Sequence, residues 1–199
     1  MIRIIKLVII SLLSLSSVAK ADEPAPVVIS LEGEVNLPKL IGIAQRMAVG
    51  DGAVHLFINS PGGDFIAAKR FTVFMSALKK KGRLTHCYGG NLVASAAFYI
   101  FLHCDSRKVL PSTQLFPHKI HLVFYQPVLP GLLLEEAQLV VNEQAAWDKE
   151  AQLITGMSED DYLRFRDSDN KFWTIPEVME ASKKDWFTLV PYYLFKVVY

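Results

Sequence analysis

The run Val54-His55-Leu56-Phe57-Ile58-Asn59-Ser60-Pro61-Gly62-Gly63-Asp64 sets the architecture expected of this chain. Val54 to Ile58 is apolar enough for a strand buried on both faces, as in the middle of a parallel sheet. Pro61-Gly62-Gly63 turns the chain sharply. Phe65 to Lys80 then has helical periodicity, with Phe71, Phe74, Met75 and Leu78 on one stripe. Lys79-Lys80-Lys81 closes that helix, where cations suit the dipole. A buried strand that hands over to an amphipathic helix is half of a crossover unit in a parallel sheet.

The same alternation extends in both directions. Val27 to Leu31 reads as a strand, Gly33 to Pro38 as a turn and Leu40 to Ala48 as a helix. Arg83 to Tyr88 reads as a strand ended by Gly89-Gly90, and Leu92 to Leu102 as a buried helix. Two further strands are expected within Lys108 to Leu110 and Gln114 to Phe124. Helices follow over Leu133 to Leu153, Ser158 to Arg166 and Ile175 to Ser182, the last with Pro176 in its first turn. The fold class is α/β with a parallel sheet.

The N-terminus has a separate role. Arg3 and Lys6 precede an apolar run from Leu7 to Leu15, and Val18-Ala19-Lys20-Ala21 has small residues where a signal peptidase reads. Residues 1–21 are therefore expected to be a secretory signal cleaved after Ala21, and the protein to be periplasmic or secreted. The apolar run is short of the roughly 20 residues that span a bilayer, so no membrane anchor is predicted. The remaining 22–199 suit one domain. The formal net charge of +1, with no basic run interleaved with aromatics, argues against nucleic acid as a partner. Cys87 and Cys104 are candidates for a disulfide, given export. The apolar tail, Phe187 to Tyr199, is expected to complete the sheet or to form a subunit contact.

Ser95, in Ala94-Ser95-Ala96-Ala97, opens the buried helix, where free N–H groups and the dipole favour negative charge. Gly62-Gly63 can bring backbone N–H groups close to a ligand. Among five histidines, His118 and His121 are three residues apart, so in a regular strand only one of them can face Ser95. His55 and His86 read as structural. No metal-ligand spacing is present, and no metal or cofactor is expected.

Taken together, Leu31-Glu32-Gly33-Glu34-Val35, Ile58 to Gly63, Ala94 to Phe98 and Leu110-Pro111-Ser112 to His118 resemble the Clp protease proteolytic subunit, within the crotonase-like superfamily. The likeness runs from about Val28 to Ala181. It implies repeated β-β-α units in one domain over 22–199, and a serine peptidase. By this resemblance Ser95 is the nucleophile, His118 the base, and the N–H groups of Gly63 and Ala96 form the oxyanion hole. The third triad member is Asp169, with Asn170 or Asp167 as alternatives. The chain departs from the family in having Ala96-Ala97 after the serine and Lys119-Ile120 after the histidine. The resemblance further implies a homo-oligomer that acts on peptides or unfolded segments. Outside the cytoplasm no ATPase partner is expected. Three other readings stand beside it. One is a Ser-Lys peptidase resembling signal peptide peptidases, with Lys149 as base. Another is a non-catalytic binding or scaffold protein that keeps the fold. The weakest is a crotonase-type acyl-CoA enzyme.

Overall fold

The computed structural model describes residues 24–124, 126–168 and 172–191. The expected signal segment and the last eight residues of the tail lie outside them. Five strands follow one another in space: β1 (Val27–Glu32), β2 (Val54–Ser60), β3 (Thr85–Ala94), β4 (Ser106–Val109) and β6 (Thr188–Leu189). A sixth, β5 (Gln114–Phe116), pairs with β3 off this path. Every ladder between these strands is parallel. The chain is thus an α/β protein, and β6 is where the start of the apolar tail joins the sheet.

The crossovers are α1 (Leu37–Ala48), α2 (Phe65–Lys80) and α3 (Ser95–Leu102), followed by α4 (Pro130–Thr155), α5 (Glu159–Arg166) and α6 (Ile175–Ala181). Local chemistry fixes their ends. The Asn36 side chain accepts from the Lys39 N–H at 3.0 Å and Pro38 sits in the first turn, so α1 starts earlier than its apolar stripe indicates. Asp64 caps α2 by accepting from the Ala67 N–H at 2.9 Å, and Phe71, Met75 and Leu78 of the expected stripe are buried. Thr174 and Glu177 form a reciprocal capping box on α6.

Val54, Leu56 and Ile58 of β2 join one hydrophobic cluster that runs from Ile29 to Trp186 in sequence. The opposite face of β2 is polar and aromatic. There Phe57 stacks on Tyr88 at 4.6 Å, and Tyr88 Oη and His55 Nδ1 share a 2.9 Å hydrogen bond.

Two expectations need correcting. Gly89-Gly90 does not end β3. The register steps from Ile58↔Gly89 to Ser60↔Val93, so β3 carries two extra residues there. Asn59 Oδ1 closes the gap by accepting from the Leu92 N–H at 3.1 Å, and a Cβ on Gly90 would meet the Asn59 Cβ at 3.0 Å. The glycines mark a bulge, which bends the strand. Before it β3 pairs with β4, and after it with β5. The second correction concerns residues 117–124. The described residues among them form no strand, because the ladder stops at Phe116 and Pro117 has no N–H to extend it.

Candidate active site

Beyond its bulge, β3 delivers Ser95 to the first position of α3. Ala96 to Leu102 are all buried, whereas Ser95 is half-buried at the helix mouth. Ser95 has φ 53°, and among the described residues it alone combines positive φ with a side chain. This left-handed turn costs a non-glycine residue about 1–2 kcal/mol. Strain of that kind is held only where packing over-determines it, as in the elbows that present nucleophiles. Ala94 caps α3 without a side-chain hydrogen bond, so the first amides, Ala96 among them, are not covered by a cap.

The turn after β2 lies directly against this elbow. Gly62 has φ 97°, and a Cβ there would fall 2.3 Å from the Ser95 Cβ and 2.8 Å from the Ala94 carbonyl oxygen. Only glycine permits that approach. On its other side the turn is pinned by two bonds. The Val35 N–H donates to the Gly62 carbonyl at 2.7 Å, and the Asp64 N–H donates to the Val35 carbonyl at 2.8 Å. In such a parallel bridge the intervening Gly63 N–H points away from Val35.

Ser95, Gly63, His118 and His121 line one cleft of about 790 Å³. Both histidines face it because the irregular segment 117–124 has no pleat to send them apart. Their rings stack at 5.3 Å, and Phe116 packs on His118 at 5.7 Å. The expectation that only one can face Ser95 is therefore corrected. His118 Nδ1 lies 2.6 Å from the Lys119 carbonyl oxygen. That bond requires Nδ1–H, so in the neutral ring Nε2 carries the lone pair. The cleft wall comes from α4, where Glu136, Leu139, Val140, Glu143 and Trp147 line it at helical spacing. Trp147 is buried and stacks on Phe65 at 5.3 Å. This wall was readable as an i, i+3, i+4, i+7 stripe, although the only α4 residue the sequence pointed to was Lys149, in the Ser-Lys alternative.

Among the described residues no carboxylate is hydrogen-bonded to His118, where the expected third triad member would stand. Asp169 and Asn170 lie outside the described residues. Asp167 lines an adjoining hollow of about 550 Å³ with His118 and His121, but its oxygens are taken up by cations. Arg166 donates to them at 2.5 and 2.8 Å, and Lys119 Nζ lies 3.2 Å away. The Arg166 hydrogen bonds hold the Asp167 carboxyl below the usual range despite some burial. Lys149 is exposed and falls off the α4 stripe, two residues past Trp147, so it does not line the cleft. This location removes it as a base for Ser95.

Cys87 of β3 and Cys104, just after α3, are joined by a disulfide with Cα atoms 5.9 Å apart. Ser95 lies inside the covalent loop. His103 is engaged away from the cleft, with Nδ1 2.8 Å from the Tyr99 carbonyl and Nε2 2.9 Å from Glu150. His86 Nδ1 lies 2.7 Å from Ser106 Oγ. A separate hollow of about 430 Å³ beside α5 and α6 is lined by Asp161, Arg164, Trp173, Glu177, Glu180 and Ala181, without a serine or histidine. Among the described residues no group of three or more His, Cys, Asp or Glu side chains could hold a metal, and no helix is long and apolar enough to cross a membrane. Compared with known proteins, the chain matches no family model, and no curated protein matches it significantly.

Proposed function

We propose that this chain is an exported serine hydrolase of the Clp peptidase type, with the repeated β-β-α units of that fold, acting on peptides or unfolded segments. One observation carries the reading: a serine in a strained left-handed conformation, at a strand-to-helix elbow, lines the same cleft as a histidine with an oriented ring.

In this mechanism His118 Nε2 takes the Ser95 Oγ proton as Oγ bonds to the substrate carbonyl carbon. The carbonyl electron pair moves onto oxygen, which the Gly63 and Ala96 N–H groups hold. Collapse breaks the C–N bond, and His118 returns the proton to the leaving amine. Water repeats the sequence and releases the acid. The Lys119 carbonyl orients the imidazole by accepting from Nδ1–H. Export accords with the buried disulfide, since such bonds persist in oxidising compartments. Leu132, Leu133 and Leu134 on α4 are exposed, which favours a homo-oligomer.

The test is labelling of the purified protein with a fluorophosphonate probe, followed by mass spectrometry. Modification at Ser95 that disappears in His118→Ala is expected. A folded sample without modification would overturn the reading. Asp169→Asn tests the third role: a loss near 10⁴ gives it to Asp169, and a loss below about 10-fold moves it to another group, Asn170 or the Lys119 carbonyl.

A non-catalytic binding protein is the second reading, and a specific observation favours it. Among the described residues the His118 Nδ1 partner is a backbone carbonyl rather than a carboxylate, and the nearby Asp167 is committed to Arg166 and Lys119.

A further inference from the structure

The cleft beside Ser95 has a charge of its own. Glu34, Asp64, Glu136 and Glu143 line it, with no lysine or arginine among the lining residues, although the whole chain has a formal charge of +1. Two of these carboxylates are already engaged. Asp64 caps α2, and Glu143 is paired with Lys69. Glu34 and Glu136 are exposed and form no ion pair among the described residues.

These two acids come from different elements. Glu34 lies over the turn that abuts Ser95, since a Cβ on Gly63 would meet its Cγ at 2.9 Å. Glu136 sits on α4, one turn before the apolar Leu139 and Val140. Apart from the acids and Ser95, His118 and His121, the side chains lining the cleft are apolar, with Phe65, Leu122 and Trp147 among them. We infer that the cleft selects extended peptide segments that present an apolar side chain to this lining and a lysine or arginine to Glu34 or Glu136. This inference rests on the peptide-hydrolase reading and adds the substrate class.

The physical case has two parts. Lysine and arginine can lay their methylene stems along apolar surface and place the cationic head at a carboxylate. An acidic peptide meets like charge from Glu34 and from Glu136, and like-charge juxtaposition excludes partners more strongly than a single surface pair attracts them. Because both acids are exposed, the discrimination must fade with salt.

The experiment measures binding apart from chemistry. Full-length Ser95→Ala protein is titrated into two fluorescent hexapeptides that share a Leu-Leu centre and differ only in flanking Lys or Glu. At low ionic strength the Lys peptide should bind at least about tenfold tighter, and near 1 M salt the gap should close to about twofold. The Glu34→Gln/Glu136→Gln protein should show the same closure at low salt. Equal affinities at low salt, a preference that survives both salt and the double substitution, or no binding of either peptide overturns the inference. The peptide and salt comparison needs no variant beyond Ser95→Ala. Fluorophosphonate labelling of Ser95 is scored separately on the unsubstituted protein. Labelling without charge preference refutes the selectivity alone. Charge preference without labelling refutes the hydrolytic step and keeps the selectivity.

Discussion

Ser95 holds a conformation that glycine adopts freely and other residues do not. Relief of its left-handed strain is worth about 1–2 kcal/mol, against about 0.5–1 kcal/mol for the added freedom of an unfolded glycine. Ser95→Gly should therefore raise stability by about 0.5–1 kcal/mol in a denaturant melt while removing all fluorophosphonate labelling. A substitution that stabilises the fold and removes the chemistry marks a site where conformation is held for function. Sequence alone identified Ser95 by its place among small residues ahead of an apolar helix, but nothing there revealed the positive φ. That angle occurs where Gly62, in a turn more than thirty residues earlier, packs directly against Ser95.

The elements most legible in the sequence were those with their own punctuation. The bounds of α2 follow from the Asp64 cap and the lysines at its end. Gly89-Gly90 misled because a glycine pair signals both a strand end and a bulge, and only the paired register of β2 distinguishes them. Residues 117–124 misled because their composition suits a strand while the sheet offers them no ladder. In the β3–α3 unit the disulfide closes a loop between residues 17 apart in sequence. A loop of that length constrains the unfolded chain by about 3 kcal/mol. Cys87→Ala/Cys104→Ala should lower stability by roughly that amount, read as a drop in the denaturant midpoint, and reduction of the unsubstituted protein should match it. No loss in the variant would mean that packing around α3 already orders the unit without the bridge.

The long α4 is tied to α5 by an ion pair between Asp148 and Arg166, whose side chains are 13% and 9% exposed. Burial outweighs the cation here and holds the Asp148 carboxyl above its usual range. Ionised Asp148 therefore opposes folding, and this cost grows as pH rises from the ordinary carboxylate value through its folded value. Arg166→Ala leaves a buried charge uncompensated and should cost about 3 kcal/mol at neutral pH. The deficit should shrink as pH falls and Asp148 takes up a proton, which thermal melts between neutral and acid pH would reveal. A deficit independent of pH would assign the loss to packing. The buried α3 has a different consequence for the molecule. Ser95 is the half-open first residue of a helix whose other seven residues are all inside, so it has no hinge on which to loosen ahead of the core. The fraction of Ser95 labelled at saturating probe should stay level on warming and collapse within the same few degrees as the global melt, leaving no warm state that is folded yet unreactive.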